Sequence, residues 1–533
     1  MKNKLIIAIG SLIAIVLIVF LGMKINGKDT IDYSLTQNPQ ILDPQVAVDT
    51  TSEDLIAYLF EGLARINKDG KLEPAVAEKW EMKGKIWTFK IKENAKWSNG
   101  DKIVANDFVS SWERALNPYF ESKNSYLMYI IKGAKDYKEG KITDFSQVGV
   151  KALDDKTLQV ELVGEYVYFP TLTTVSVFMP QNSKYYEKNK ENYGKNGKII
   201  GNGSFKIGNY KENSKIILEK SKDYWNNENI VIKKINILIN GDVKTLIQKY
   251  NENKLDFVKL GIENVSNYRD SSDKISWDNG NISYILFNIE NSILSNKKIR
   301  KAIALSIDKK ELVGKVMGDK VIGTDGLVGN YIVGKISYFR NDYEAKNLNI
   351  AFNKVEANKL FDEGLAELGL SRNSIKRLEL LCEKTYDSMN EAEFYKQQLA
   401  KNLGVVVDIK SSTHQMYEQK VSSKDFDLTI ESYSGKFNDP IAYLGKWKSD
   451  SNENYSGFRN KDFDNLLSLS NVESNQEKRM EILAKAEMKL LDELPIIPIY
   501  FEKENAIIKP NVKNYVKNSL NPKIDFRYSN IQK

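Results

Sequence analysis

From residue 354 onward the chain alternates between two periodicities. A helical pattern in "VEANKLFDEGLAEL" gives way to an apolar strand, "RLELLCE". Helix "EAEFYKQQLAKNL", strand "VVVDIK", helix "HQMYEQKV" and strand "FDLTIESY" then follow in turn. Strict alternation restricts such a segment to an α/β layer with a mainly parallel sheet, because parallel neighbours need a long crossover and a helix supplies it. With 533 residues the chain exceeds what one core fills, so two or three domains are expected.

The preceding part is organised differently. After a short strand in "IDYSL", the stretch "TSEDLIAYLFEGLARI" reads as a helix on Leu55, Tyr58, Leu59 and Leu63, capped by Thr51 or Ser52. "WTFKIKENAKWSNG" reads as a hairpin element, and "VANDFVSSWERAL" as an amphipathic helix on Phe108, Trp112 and Ala115. Two strands surround an Asp-Asp-Lys turn in "VKALDDKTLQVELV", so this section is α+β. A Gly-rich linker, "YGKNGKIIGNGSFKIGNY", leads to strands "KIILEK" and "IKKINILI". Ser295 precedes a helix on Ile299, Ile303 and Ile307, and Asp308 with Glu311 forms a capping-box pattern for "KKELVGKVMG".

At the N-terminus Lys2 and Lys4 precede an uncharged run from Leu5 to Met23. That is about the ~20 residues of a transmembrane helix. It is longer than the ~7–15 residues of a signal-peptide core and lacks an A-x-A site. Lysines ahead of the run put the N-terminus inside and the body outside. An uncleaved single-pass anchor at 1–30 is therefore expected over a cleaved signal, with the body on the periplasmic or cell-surface side. The net charge of +7 falls to about +4 once the first thirty residues are set aside, with both signs interspersed, which argues against a nucleic-acid partner.

Chemistry is sparse. The single cysteine, Cys382, lies in an apolar strand and reads as a buried, inert thiol. The single histidine, His414, reads as solvated, and one His with one Cys leaves no protein-only zinc site. There is no G-x-S-x-G, H-E-x-x-H or G-x-G-x-x-G pattern, and the two near-misses to a P-loop lack the terminal Ser or Thr. Neither an enzyme nor a bound cofactor is expected.

Five blocks, in order, carry a resemblance: "LDPQVAVDTTSEDLIAYLFEGLARINKDGKLEPAVAEKWE", "WTFKIKENAKWSNGDKIVANDFVSSWERALNP", "GNGSFKI", "FNIENSILSNKKIRKAIALSIDKKELVGKVMG" and "ELPIIPIYFEKENAIIKPNVKNY". Together they resemble the extracytoplasmic solute-binding proteins of peptide-type ABC importers, the oligopeptide/dipeptide/nickel family. The resemblance implies an α/β, two-lobed periplasmic-binding-protein-like fold of type II, with an extra α+β domain on lobe one. It would place lobe one at 31–60, 195–283 and 505–533, the extra domain at 61–194 and lobe two at 284–504. It implies a monomeric receptor that closes over a peptide or peptide-like ligand and docks on the importer's permease subunits. A pheromone or sensory receptor, or a binder of a non-peptide or N-blocked ligand, is the alternative. A nickel or metal-chelate binder is disfavoured by the single His414.

The same resemblance singles out "YSGKFNDP", residues 433–440. This loop leaves the carboxyl end of a strand and precedes Asp439-Pro440, a helix start, where open α/β sheets place ligands. In oligopeptide binders this loop carries an aspartate that pairs with the ligand's α-amino group; the ungapped match puts Lys436 there and Tyr433 at the lining aromatic. An ammonium ~4 Å from a lysine is disfavoured by about 4 kcal/mol at an effective dielectric near 20. Lys436 then favours an acceptor, such as a blocked terminus, a carboxylate, a phosphate or a sugar hydroxyl. The competing reading has it in solvent or paired with Asp439 or Glu431. Ser434, Phe437 and Asn438 complete the loop candidates. Tyr284 and Phe287 of "SYILFN" and Tyr126 of "NSYLMY" are further ones, each open to a core role.

Overall fold

The computed structural model describes residues 28–345, 350–374 and 377–532. The anchor expected at the N-terminus lies almost wholly outside the described residues. Among them no helix is long and apolar enough to cross a membrane.

Two long antiparallel strands, Lys274–Phe287 and Ile496–Ile508, run through the middle of the molecule. Their pairing breaks between Asp278 and Ile282. Before the break Lys274 pairs with Ile507, and Phe257–Lys259 extends the sheet along Ile508–Ala506. Beyond it, Ile282–Leu286 pairs back towards Ile496, and Leu428–Ser434 adds on the outer side. Leu378–Glu383 and Val407–Ser412 complete that side, parallel to one another and to Leu428–Ser434. Helices Lys354–Glu367, Tyr386–Leu403 and His414–Ser422 stand where the alternation places them. The sheet as a whole is mixed instead of mainly parallel. The three alternating strands are parallel, but Leu428–Ser434 has a free edge, and the strand that fills it arrives from elsewhere in the chain with the opposite direction.

Across the break lies a second body. Thr30–Leu35 pairs parallel with Lys234–Ile239, followed by Lys215–Lys220 and Phe205–Lys211. A third sheet, Ala77–Lys83, Ile86–Ile91, Thr157–Glu161 and Val150–Asp154, is antiparallel. Helix Ala105–Leu116 packs beside it, with Phe108, Trp112 and Ala115 fully buried and the Trp112 indole donating to the Phe178 carbonyl at 2.8 Å.

Several local expectations shift. The first helix spans Thr50–Leu59 and its cap is Asp49, which accepts from the Ser52 amide at 2.9 Å. It stops before Leu63 because the chain passes the Thr173 carbonyl at Gly62, where a Cβ would come within 2.0 Å of that oxygen; Ala64–Ile66 is a strand. The Gly-rich stretch ends as the strand Phe205–Lys211. Helix Lys297–Ser306 is capped by Asn296, one residue past Ser295, and ends before Ile307. Asp308 caps the next turn by accepting from the Glu311 amide, and that turn widens into π geometry over Leu312–Met317. Cys382 is buried, which pushes its thiol up to about 11. His414 is exposed, its Nδ1 lying 3.1 Å from Glu383.

Candidate ligand-binding cleft

A cleft with a cavity of about 420 Å³ opens where the two long strands part. Pairing with the second long strand is lost at 279–281, where Gly280 takes φ +81°, and Asn279 and Asn281 line the cavity there. Glu502 and Glu504 of the partner strand line the same floor. One wall is the helix Thr50–Leu59; the other is the loop leaving Leu428–Ser434, whose last residue pairs with Asn281. A C-terminal segment between Val516 and Arg527 closes one side.

The loop is pinned at both ends. Tyr433 donates its hydroxyl to the Ala442 carbonyl at 2.8 Å and sets its ring edge-on to Tyr443 at 6.0 Å. Gly435 lies flat on Tyr443, since a Cβ there would come 2.4 Å from the ring. At the far end Asp439 is buried and accepts from both Arg479 guanidinium NH groups at 2.6 and 2.9 Å, while also accepting from the Ile441 amide at 3.0 Å. The short helix Ile441–Leu444 starts one residue later than the Asp-Pro pair predicts, with Pro440 and not Asp439 at its cap position.

The structure brings Ser434, Lys436 and Asn438 to the cavity. Asn438 also bridges the cleft: its amide donates to the Gly70 carbonyl at 2.7 Å and its oxygen accepts from the Val333 amide at 2.8 Å. Lys436 is exposed at the loop's apex, with no hydrogen bond or ion pair among the described residues. The pairings open to it in sequence are absent, because Asp439 is taken by Arg479 and Glu431 accepts from the Tyr417 hydroxyl.

Tyr433 and Phe437 do not line the cavity. Phe437 points away and stacks on Tyr168 at 5.9 Å with an interplanar angle of 9°, joining the loop to the third-sheet body. Tyr284 and Phe287 are fully buried, because their strand is central in the sheet and both faces are covered. The Tyr284 hydroxyl accepts from Lys446 at 2.9 Å, and that ammonium sits 4.4 Å over the Tyr433 ring. Burial pulls the Lys446 ammonium below its ordinary range, against the pull of Glu431 and Glu453. Tyr126 is partly exposed beside this cluster, within the fields of Glu453 and Glu53.

Sequence reasoning missed the opposite wall. Glu53 faces the cavity from the first turn of the helix Thr50–Leu59 and accepts from the Asn521 side chain at 2.5 Å. Burial pushes its carboxyl up to about 7, with the Lys436 charge across the cleft opposing. Lys523 donates to the Asn279 carbonyl at 2.7 Å, and burial lowers its affinity for a proton. At another part of the cavity Glu61 accepts from Tyr224 at 2.7 Å and pairs with Arg65, and Arg527 pairs with Asp525. No local signal marks these cavity-lining residues, which come from two short segments, 53–65 and 521–527, more than four hundred positions apart, and from Asn279 between them.

Among the described residues no group of three or more His, Cys, Asp or Glu could hold a metal ion. The chain matches the bacterial extracellular solute-binding proteins, family 5, over residues 71–455. It is 33% identical to the oligopeptide-binding protein OppA of Bacillus subtilis, over 92% of this chain and 90% of that protein. It is similar in structure to the murein tripeptide-binding protein MppA in its unliganded open form, with a TM-score of 0.82, 26% identity, and coverage of 95% of this chain and 99% of that one. The peptide-bound OppA of Listeria monocytogenes superposes with a TM-score of 0.71 at 29% identity, over 95% of this chain and all of the other.

Proposed function

Because the chain belongs to the bacterial extracellular solute-binding proteins, family 5, we propose that it is the receptor of an ABC importer and captures peptide-type ligands by closing two lobes over the cleft described above. Members of this family bind solutes and are not enzymes. The observation that carries the reading is the loop 434–438 on the wall of a cavity of about 420 Å³, beside the break in the two long strands. Strands crossing between bodies with a local loss of pairing can absorb the φ/ψ change of a hinge. The better superposition on an open, unliganded relative than on a peptide-bound one supports a cleft that narrows when occupied.

Lobe one would comprise 31–60, 195–283 and 505–533, the additional domain 61–194, and lobe two 284–504. Ser434, Lys436 and Asn438 would contact ligand directly. Tyr433, Phe437, Tyr284 and Phe287 would hold the loop and its strand in place, with Tyr126 at the rim. Lys436, exposed on the cavity wall, favours an acceptor, and a peptide carboxylate is the simplest such group. The N-terminal run would keep the monomeric receptor on the extracytoplasmic face beside its permease partners.

Native mass spectrometry of the full-length protein purified from its host tests the ligand class. Peptides of a few residues should co-purify, and scattering from the loaded protein should show a more compact particle than after ligand removal. Recovery of metal chelates or sugars alone would refute the peptide reading. Carbonate extraction tests the anchor: retention in the membrane pellet with residues 1–27 intact is expected, and release with a shortened N-terminus would refute it.

A further inference from the structure

An acidic group on one wall of the cleft faces a basic one on the other; each feels the other's charge across the gap, and neither makes a direct ion pair among the described residues. Glu53 stands on the helix Thr50–Leu59 and makes no ion pair among the described residues; its hydrogen bond goes to the neutral Asn521 side chain. Lys436 stands on the opposite loop and also makes none. Of the remaining acids of the cavity, all but Glu502 have a cation beside them. Glu61 is held by Arg65, Tyr224 and Trp225, and Asp525 by Arg527. Glu504 lies 3.6 Å from Lys259, and Glu502 accepts from Asn279 at 3.2 Å on the cavity floor. A carboxylate sunk in a protein wall without a cation is costly, and a bound cation removes that cost.

Taking the cleft as the peptide site, we propose that Glu53 is the anchor for the ligand's ammonium group and that Lys436 takes the ligand's carboxylate, so that the protein selects peptides with both ends free. The two anchors sit on opposite sides of the cleft, so a zwitterion spanning them touches both walls. A ligand shifts a conformational equilibrium only through contacts that differ between the states, and contacts made from both walls at once are available only on closure.

The ionisation of Glu53 supplies an independent readout. Burial holds its carboxyl near 7. The charged groups around it are Lys436 from the facing loop, Asp54 from its own helix and Lys523 from the C-terminal segment; the Tyr126 ring lies in its field. Ammonium binding needs the ionised form. The peptide's own amine, with an ordinary value of about 7.7–8.0, is only partly protonated at pH 8, so affinity for free-amine peptides should fall about three- to fivefold between pH 8 and pH 6, while affinity for N-acetylated peptides stays level.

The experiment offers the full-length protein in detergent three mixed tripeptide libraries: both ends free, N-acetylated, and C-amidated. Bound fractions are read by native mass spectrometry at both pH values. The free library is expected to bind at least tenfold better than either blocked one. Glu53→Gln should abolish discrimination against the acetylated library, and Lys436→Gln discrimination against the amidated one; Glu81→Gln, on an exposed strand of the third sheet outside the cavity, should change neither. Undiminished binding of the acetylated library shows that the Glu53 variant is folded. Equal binding of free and acetylated libraries by the unaltered protein overturns the proposal while leaving the peptide cleft intact, as does discrimination that survives Glu53→Gln. Binding of none of the libraries overturns the peptide reading and the proposal with it.

Discussion

Replacing Arg479 by Met should unseat the loop that walls the cavity, and the structure sets the size of the effect. Arg479 and Asp439 are 2% and 3% exposed. Their two charge-assisted hydrogen bonds, at 2.6 and 2.9 Å, are joined by one from the Arg479 Nε to the Ser470 carbonyl at 2.9 Å, and the guanidinium lies 5.3 Å from the Tyr168 ring. Methionine fills similar volume but leaves Asp439 as a buried charge with no cation. Breaking a buried pair in this way costs about 3–5 kcal/mol. Asp439→Asn in the same background removes the orphaned charge and keeps an oxygen for the Ile441 amide, so the double variant should recover all but about 1–2 kcal/mol. Urea denaturation of the full-length protein, followed by tryptophan fluorescence, measures both. Peptide affinity measured alongside should fall in the single variant, because Phe437 and Tyr168 stack only while the loop is held. A loss below about 1 kcal/mol in the single variant, or a double variant no more stable than the single, would refute the claim that this pair pins the loop.

Other consequences follow from neighbouring features. Lys436→Gln should weaken binding of peptides with a free carboxylate by about 1–4 kcal/mol, the lower figure at high salt, since the group is exposed and its charge is screened by solvent and ions; titration calorimetry at two ionic strengths checks it. Glu391 is buried, its carboxyl pushed up to about 7 despite hydrogen bonds from Tyr395 and Tyr500. The folded protein then binds more protons than the unfolded chain between about pH 4.5 and 7, so this group's contribution to stability is present at low pH and lost as pH rises through 7. Glu391→Gln should accordingly raise Tm at pH 8, by up to roughly 3 kcal/mol of stability, and do little at pH 4.5; an equal shift at both values would rule this out. Gly435→Ala drives a Cβ to 2.4 Å from the Tyr443 ring and should cost about 1–3 kcal/mol, together with a loss of peptide affinity; thermal melts with and without peptide separate the two effects.

Much of the fold is written in local patterns. The three helices and three parallel strands between Lys354 and Ser434 follow from periodicity alone, because a segment's own spacing dictates which face it must bury. The same spacing put the loop 433–440 at a strand's carboxyl end and a helix start at Asp439-Pro440, one residue ahead of the observed one. It also showed that a lysine occupies the loop. What covers a buried face is a different matter, since that depends on segments far away in sequence. Tyr284 and Phe287 read equally as wall or core until the neighbouring strands were in place, and those strands made them core. Phe437 turned from the cavity because Tyr168 offered it a ring to stack on. Asp439 was spoken for by Arg479, which left Lys436 without the partner its own neighbourhood had offered. Glu53, Asn521 and Asn279 carry no local signature of a site, and they meet Lys436 around one cavity only because the two long strands part between them. Periodicity thus determined the elements and the loop's position. Only tertiary contact decided which charges face one another across the cleft, because electrostatic complementarity is a relation between surfaces and not a property of any one of them.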